Sequence, residues 1–425
     1  MTRKDWRIGI AGLGTVGGGL VKFLDERPGF APAGGNAIVT GICARSRRPA
    51  LSALPWFDDP VELAVSDTND IFVELIGGAD GPAKAAVEAA LSVGKPVVTA
   101  NKALIAHHGA SLAAVAEANG VPLFFEAAVM GGTPAVKILR EAMVGDDIEI
   151  VAGILNGTCN YILSEMESTG AAFEDVLSEA QRLGYAEADP TMDIGGFDAA
   201  HKITILAALA FGCAPSFASA EVEGLQAIET LDIRLAKDLG YRIKLIASAA
   251  RSEAGVSIRV HPALTPLDHP LARVNGVLNA LFIEGRRVGR IFVQGAGAGA
   301  GPTAAAVAAD IADVMAGALR PVFQAPAPAL RFVAPVDGAQ SVGRAYVRLL
   351  VRDEPGVIAS ITETLAEAGV SIDSFLQKPI AGVGGVPIVL TTHLVSESVL
   401  TDAVNRIAAL PSMLEAPRLI RIARI

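Results

Sequence analysis

Cysteine, aromatic residues and surplus basic charge are all scarce in this 425-residue chain. Only Cys43, Cys159 and Cys213 are present, too few for a disulfide framework and in keeping with a reducing cytosol. Aromatics make up 5%, so a core has to be built from Ala, Val, Leu and Ile. Lys and Arg number 35 against 45 Asp and Glu, a net charge of -10 that leaves no global basic field for nucleic acid. Long membrane-spanning runs are missing too. The apolar stretch Ile203 to Ala220 is interrupted by Gly212 and Pro215, and reads as a buried core helix. The uncharged stretch Ile291 to Ala309 is rich in Gly and Ala and broken by Pro302. The first residues, MTRKDWRIGIAGLG, lead into a strand and a glycine turn without a signal-like apolar segment. The expectation is a cytoplasmic protein with neither a membrane nor a nucleic-acid partner.

Apolar residues, by contrast, are plentiful. They make up 51%, charged residues 19%, and the mean hydropathy is +0.45, which excludes a disordered chain. The length suits about two to four domains of roughly 100–200 residues.

Residues 1–130 alternate short apolar runs with Ala-rich helical stretches. The runs are Arg7–Ala11, Ile38–Ala44, Ile71–Ile76, Pro96–Ala100 and Pro122–Glu126; the helices fall near 15–26, 80–93 and 103–119. Continuous apolar strands separated by helices predict a Rossmann-type, doubly wound parallel sheet. Residues 131–320 read as an α+β substrate domain. Its helices are expected at 133–143, 158–168, 173–183 and 196–212, and its strands at 148–155, 242–250, 256–261, 277–284 and 287–294. A helix over 303–320 is expected to pack back on the first domain. The Pro-rich stretch 321–343 reads as a linker. Residues 344–425 follow the order β-α-β-β-α-β, a ferredoxin-like module expected to fold separately.

Four patterns carry chemistry. The turn Gly12-Leu13-Gly14-Thr15-Val16-Gly17 follows the first strand and opens a helix, which fits a dinucleotide pyrophosphate at the helix N-terminus. At the end of the second strand, where an NAD-selecting acid belongs, stands Arg45, followed by Arg47 and Arg48. Arginine there favours the 2′-phosphate of NADP, with NAD left open. Thr99-Ala100-Asn101-Lys102 lies at another strand end, which puts Lys102 near the ligand crevice. The densest cluster runs from Gly184 to Lys202 and holds Tyr185, Glu187, Asp189, Asp193, Asp198 and Lys202. Asp198 and Lys202 are i, i+4 on an apolar helix, so a buried lysine with a carboxylate neighbour is expected to transfer protons. His201 points elsewhere and reads as structural.

The stretch from Ala180 to Lys202 closely resembles the signature of the homoserine dehydrogenases. TANKALI from Thr99, FEAAVMGGTP from Phe125, NGTCNYIL from Asn156 and GAGAGAGPTA from Gly295 are similar to the same family. Residues 344–425, with Asp353-Glu354-Pro355-Gly356-Val357, resemble an ACT domain. The resemblance implies interconversion of L-homoserine and L-aspartate 4-semialdehyde with NAD(P), on the route to threonine and methionine. It implies Lys202 as proton-transfer group and Lys102 as its helper on cofactor and substrate. Glu187, Asp193, Asp198, Thr158, Gly157 and Tyr185 would hold the substrate. Gly299 would join Gly12 to Gly17, Arg45, Thr99 and Lys102 around the cofactor. Glu126, with the carbonyls of Val129, Gly131 and Thr133, would bind a monovalent cation, with sodium the expected ion. A homodimer or homotetramer is implied, with threonine as effector. Two rivals stand beside this. Cys159, just inside a helix start, would be the nucleophile of an acylating semialdehyde dehydrogenase. A non-catalytic, nucleotide-bound amino-acid sensor would need no paired lysines.

Overall fold

A computed structural model describes residues 5–31, 35–252, 255–332, 338–378 and 384–425. The first sheet is all parallel, with strands β1 (Asp5–Ala11), β2 (Asn36–Cys43), β3 (Trp56–Phe57), β4 (Ile71–Glu74), β5 (Val97–Thr99) and β6 (Leu123–Phe124). Their order is β3-β2-β1-β4-β5-β6. Chain direction across the sheet therefore reverses between β1 and β4, and a ligand crevice opens beyond the carboxyl ends of those two strands. Ile8, Ile10, Ile71, Phe72, Val73 and Val98 are fully buried, as strands covered on both faces require. The helices α1 (Thr15–Glu26), α2 (Pro60–Val65), α3 (Pro82–Ser92) and α4 (Lys102–Ala118) connect them. Sequence reading misses β3 and α2. Two residues show no period, although Asp59, which accepts the Val61 N–H, and Pro60 mark the start of α2. Part of the glycine-rich 29–36 connection, residues 32–34, lies outside the described residues.

The second region holds β7 (Ile148–Ile154), β8 (Ala220–Val222), β9 (Tyr241–Ser252), β10 (Gly255–Pro266), β11 (Leu278–Gly285) and β12 (Gly289–Ala296). Its helices are α5 (Ala127–Met130), α6 (Gly157–Thr169), α7 (Phe173–Arg182), α8 (Thr191–Ile194), α9 (Phe197–Phe211) and α10 (Thr230–Asp238). Of the apolar run from Ile203 to Ala220, only the part to Phe211 is helical: it belongs to α9, buried on nearly all sides and touching β7, β9 and β10, and Gly212 in the left-handed region ends it. In place of the helix expected over 133–143 stands a short one ending in a π-turn, Ile138–Ala142, with the Glu126 carboxylate accepting the N–H groups of Ala135, Val136 and Lys137 at its start. Pro262 is tolerated inside β10. It falls between the stretch paired to β8 (Ile258 to Val260) and the stretch paired onward at Ala263, where no ladder donor is needed. Helix α11 (Ala300–Met315) returns to the first region and buries Ala304, Val307, Ala308 and Ile311 in the same core as Leu20 and Leu24 of α1.

The C-terminal region contains β13 (Val342–Gly343), β14 (Ala345–Val351), α12 (Val357–Glu367), β15 (Ile372–Gln377), β16 (Val386–Thr392), β17 (Val395–Ser396), α13 (Glu397–Ala408) and β18 (Arg418–Ile422). The main strands run β18-β14-β16-β15, the ferredoxin-like order. This unit is not detached from the rest. β18 pairs in parallel with β10 at Ala263–Arg421 and Leu264–Ile422, so among the described residues one ten-stranded sheet crosses both regions. Arg348, 2% exposed, reaches across to Asp232 (2.7 Å) and Glu229 (2.9 Å) on and before α10. A sheet edge and a buried ion cluster hold the unit in place. The start of the 321–343 stretch is docked: Val322 and Phe323 are buried, and Glu117 accepts the N–H groups of Val322 and Ala327. Residues 333–337, including Pro335, lie outside the described residues.

Candidate active site

The glycine turn divides three tasks among three residues. Gly12 has φ +99°, and a Cβ on it would lie 2.3 Å from the Leu75 carbonyl oxygen. A Cβ on Gly17 would lie 1.9 Å from the Gly12 oxygen, so α1 meets β1 only through glycine. Gly14, the N-cap of α1, faces nothing within 4 Å and leaves the helix N-terminus open. Leu13 is buried behind the turn, and Thr15 and Val16 begin α1. A cleft of about 300 Å³ follows, lined by Gly12, Gly14, Arg45, Arg48 and Asp58 among others. Arg47 is turned away, its guanidinium 5.4 Å from the Trp56 ring centre. Asp58, which accepts the Trp56 indole N–H at 2.8 Å, is a cleft residue that sequence reading missed. Only the pairing of short β3 with β2 brings it there.

Thr99 is fully buried. Its hydroxyl donates to Glu74 at 2.5 Å and accepts the Asn101 N–H at 3.0 Å, so its side chain is occupied within the protein. Asn101 caps α4 by accepting the Leu104 N–H, and its amide donates to the Gly78 carbonyl. This fixes the start of α4 and therefore Lys102. A cation at a helix start opposes the helix dipole, and here a carboxylate answers it: Lys102 Nζ lies 2.9 Å from Asp198 Oδ1.

Asp198 stands in the first turn of α9, a favourable place for a carboxylate. Its Oδ2 accepts from Lys202 Nζ and from Asn156 Nδ2, both at 2.8 Å. Asn156 also caps α6 and donates to Asp193 at 2.8 Å. Lys202 donates further to the Leu155 carbonyl at 2.7 Å. Burial alone would raise the Asp198 carboxyl, but Lys202 and Lys102 outweigh it and hold it well below the usual carboxylate range. Burial pushes the Lys202 ammonium down, Asp198 pulls it back up, and Lys102 pushes it down again. Lys102 is raised, chiefly by Asp198. Asp193 is raised by burial. A buried lysine with a lowered pKa, tied to one carboxylate beside a crevice, has the character of a proton-transfer group.

The other expected substrate residues fall around this pair. Gly157 begins α6 where a Cβ would meet the Val277 oxygen at 2.6 Å. Thr158 donates to the Tyr185 carbonyl at 2.6 Å, and Tyr185 stacks edge-on against Tyr161. Glu187 is exposed, and its charge helps raise Lys102. His201 is buried against Phe217 and His107, its pKa lowered to about 4 by burial, so it stays neutral.

Cys159 does not fit a nucleophile. It is fully buried, its thiol donates to the Asp193 carbonyl, and burial with Asp193 and Asp198 beside it raises its pKa well above the ordinary value.

Gly299 has φ +116° and is the N-cap of α11. The loop before it lies on the turn that carries Val129, Gly131 and Thr133: a Cβ on Gly131 would meet the Gly297 oxygen at 2.7 Å. Both Glu126 carboxylate oxygens accept from the 135–137 N–H groups, at 2.7 to 3.1 Å. Its carboxylate thus caps the turn, and any cation there would rest mainly on backbone carbonyls. Among the described residues no group of three or more His, Cys, Asp or Glu side chains is arranged to hold a metal ion, and no helix is long and apolar enough to cross a membrane.

Residues 12–126 match the family model "Homoserine dehydrogenase, NAD binding domain", and residues 134–312 match "Homoserine dehydrogenase". Residues 345–412 match the ACT domain. The homoserine dehydrogenase of Pseudomonas aeruginosa is 44% identical over 420 residues, 96% of each chain. This chain belongs to the homoserine dehydrogenase family. A solved homoserine dehydrogenase from Thiobacillus denitrificans superposes with a TM-score of 0.91 at 42% identity, covering 99% of both chains. A hyperthermophilic archaeal homoserine dehydrogenase in complex with NADPH superposes with a TM-score of 0.64 at 29% identity. It covers 74% of this chain and 98% of its own. As a homoserine dehydrogenase, the chain is an oxidoreductase with a nicotinamide dinucleotide domain and an ACT domain.

Proposed function

We propose that Lys202 is the proton-transfer group of this homoserine dehydrogenase and that Lys102 and Asp198 hold it and the reacting oxygen in place. The carrying observation is the single Asp198 carboxylate bridging the two lysines at 2.8 and 2.9 Å beside the crevice. A nicotinamide dinucleotide along the Gly12–Gly17 turn supplies the hydride acceptor or donor; the open Gly14 and the helix N-terminus fit its pyrophosphate. In homoserine oxidation, neutral Lys202 takes the hydroxyl proton as the carbinol carbon gives up hydride. In semialdehyde reduction, the Lys202 ammonium returns that proton to the carbonyl oxygen. Lys102 faces the same oxygen as a fixed positive charge. Glu187 and Asp193 meet the substrate ammonium, with Thr158 and Tyr185 shaping the pocket and Gly157 allowing close approach. The decisive test is homoserine oxidation, followed at the reduced-cofactor absorbance band, in wild type and Lys202→Ala. A sensor without chemistry gives no signal in either.

Three finer readings accompany this one. NADP is the preferred dinucleotide, with its 2′-phosphate on Arg45 and Arg48 in the cleft and Gly299 close to the cofactor. Threonine is the ACT-domain effector, and the chain works as a homodimer or homotetramer. A sodium-like cation rests on the carbonyls of Val129, Gly131 and Thr133 with Glu126 as the cap behind them. Activity measured in sodium, in potassium and in a bulky organic cation tests that last reading. Equal rates in all three remove it.

A further inference from the structure

We infer that Asn279 is a positioning residue for Lys202, acting through the Leu155 carbonyl that both side chains share. Asn279 lies on β11, on a different element from every residue already placed in the proton-transfer site, and is 1% exposed. Its Nδ2 donates to the Leu155 oxygen at 3.0 Å, and Lys202 Nζ donates to the same oxygen at 2.7 Å. The amide orientation is fixed by this contact, since the opposite one would set two oxygens against each other. Its Oδ1 is buried without a partner. On the far side, the amide lies under the glycine loop that leads to Gly299. A Cβ on Gly297 would stand 2.1 Å from Asn279 Cγ, so the backbone there rests directly on the amide. Asn279 is thus wedged between the cofactor-side loop and the carbonyl that anchors Lys202.

The physical consequence concerns the balance on one oxygen. A carbonyl with two donors gives less to each than it gives to one. With the Asn279 N–H present, the Leu155 oxygen stabilises the Lys202 ammonium less and holds it less tightly. With that N–H removed, the oxygen turns wholly to Lys202 and favours its charged form. The charged groups facing Lys202 are Asp198 on its own helix, Lys102 from α4 and Asp193 from α8. Neighbouring His201 is kept neutral by burial, and β11 contributes only the neutral amide. In homoserine oxidation Lys202 must be neutral, so the acid limb of the kcat profile reports it.

The inference rests on Lys202 as the proton-transfer group, and the test separates the two. Asn279→Leu keeps the branching at Cγ, at the cost of added bulk, and removes the donor. We expect its acid limb to move up by about one pH unit, a loss of about tenfold on the limb, with recovery to within about threefold above it. The homoserine KM should change little. Asn279→Ala, which cannot clash with Gly297, should shift the limb in the same direction if the leucine variant does not fold. A loss that is uniform across pH, with the limb unmoved in a folded variant, overturns the inference and leaves Asn279 a packing residue. Lys202→Ala is run alongside. If it keeps the wild-type limb, the assignment of Lys202 is what has failed.

Discussion

Lys102 and Asp198 meet at 2.9 Å across the boundary between the dinucleotide sheet and the second region. The lysine is the first residue of α4, at the end of β5, and the carboxylate is in the first turn of α9. The contact makes the two regions into one site. It also keeps a desolvated carboxylate ionised. Replacing it should act on Lys202 in a predictable direction. Asp198→Asn removes the partner that keeps the Lys202 ammonium charged, so the lysine pKa falls further. Homoserine oxidation should then keep its rate to lower pH, while semialdehyde reduction loses its proton donor at neutral pH. Paired pH profiles of the two directions check this. A shift of both limbs to higher pH contradicts it.

Lys202→Ala should lower kcat by about 100- to 10,000-fold, the usual worth of one general acid or base. The glycine turn follows β1, apart from helix α9 that carries Lys202, so quenching or enhancement of bound reduced-cofactor fluorescence should be nearly unchanged. A variant with more than half of the wild-type kcat excludes the assignment.

Arg45 and Arg48 line the cleft while Arg47 lies over Trp56. Arg45→Ala should therefore raise the KM for NADP far more than that for NAD, by a charge-assisted contact of about 1.5–3 kcal/mol. Arg47→Ala should leave the NADP KM close to wild type. Asp58 faces the same cleft, and Asp58→Asn should tilt preference further toward NADP by removing a charge repelled by the 2′-phosphate. Equal changes for both dinucleotides place the phosphate elsewhere.

Asp310 on α11 is fully buried and accepts the Glu126 N–H at 2.8 Å. Burial raises its pKa to about 7 even though Lys137 lies 3.3 Å away; Glu126 adds to the rise and Arg140 opposes it. A folded-state pKa above the unfolded value means the folded chain binds the extra proton. Stability from this group is then present below about pH 4 and is lost as pH rises toward 7. Asp310→Asn removes that dependence. Thermal unfolding at pH 5 and pH 8 should show the variant gaining on wild type at the higher pH. A gap that does not change with pH shows that the carboxylate stays ionised.

Arg348 offers a check on the C-terminal region. It is a buried cation with Asp232, Glu229 and Glu415 as partners. Arg348→Ala should cost about 3–5 kcal/mol in denaturant unfolding, because it strands buried Asp232. A chain ended near Pro328 should also be less stable, since it uncovers β10 where β18 pairs. Millimolar threonine should slow the full-length enzyme. An unchanged rate would leave the ACT domain a scaffold.

Local chemistry was enough to read much of this molecule. The glycine turn, the alternation of apolar strands and helices, and the i, i+4 spacing of Asp198 and Lys202 are all short-range patterns. Each is set by backbone sterics, burial or helix period within a few residues. The signature from Ala180 to Lys202 pointed to the family because its chemistry sits in one continuous stretch. Other features depended on residues far apart in the chain. Asp58 enters the cleft only because two residues pair with β2. Asn279 reaches Leu155 across 124 positions, and nothing around it in sequence marks it as polar for a reason. The Thr99 side chain turns inward because Glu74 is there to accept its hydrogen bond. The C-terminal unit carries its own strand order in its sequence, but whether its edge stays free was decided by β10 lying alongside β18. A strand's period tells which face is buried, whereas its partner on the open edge is chosen by tertiary packing.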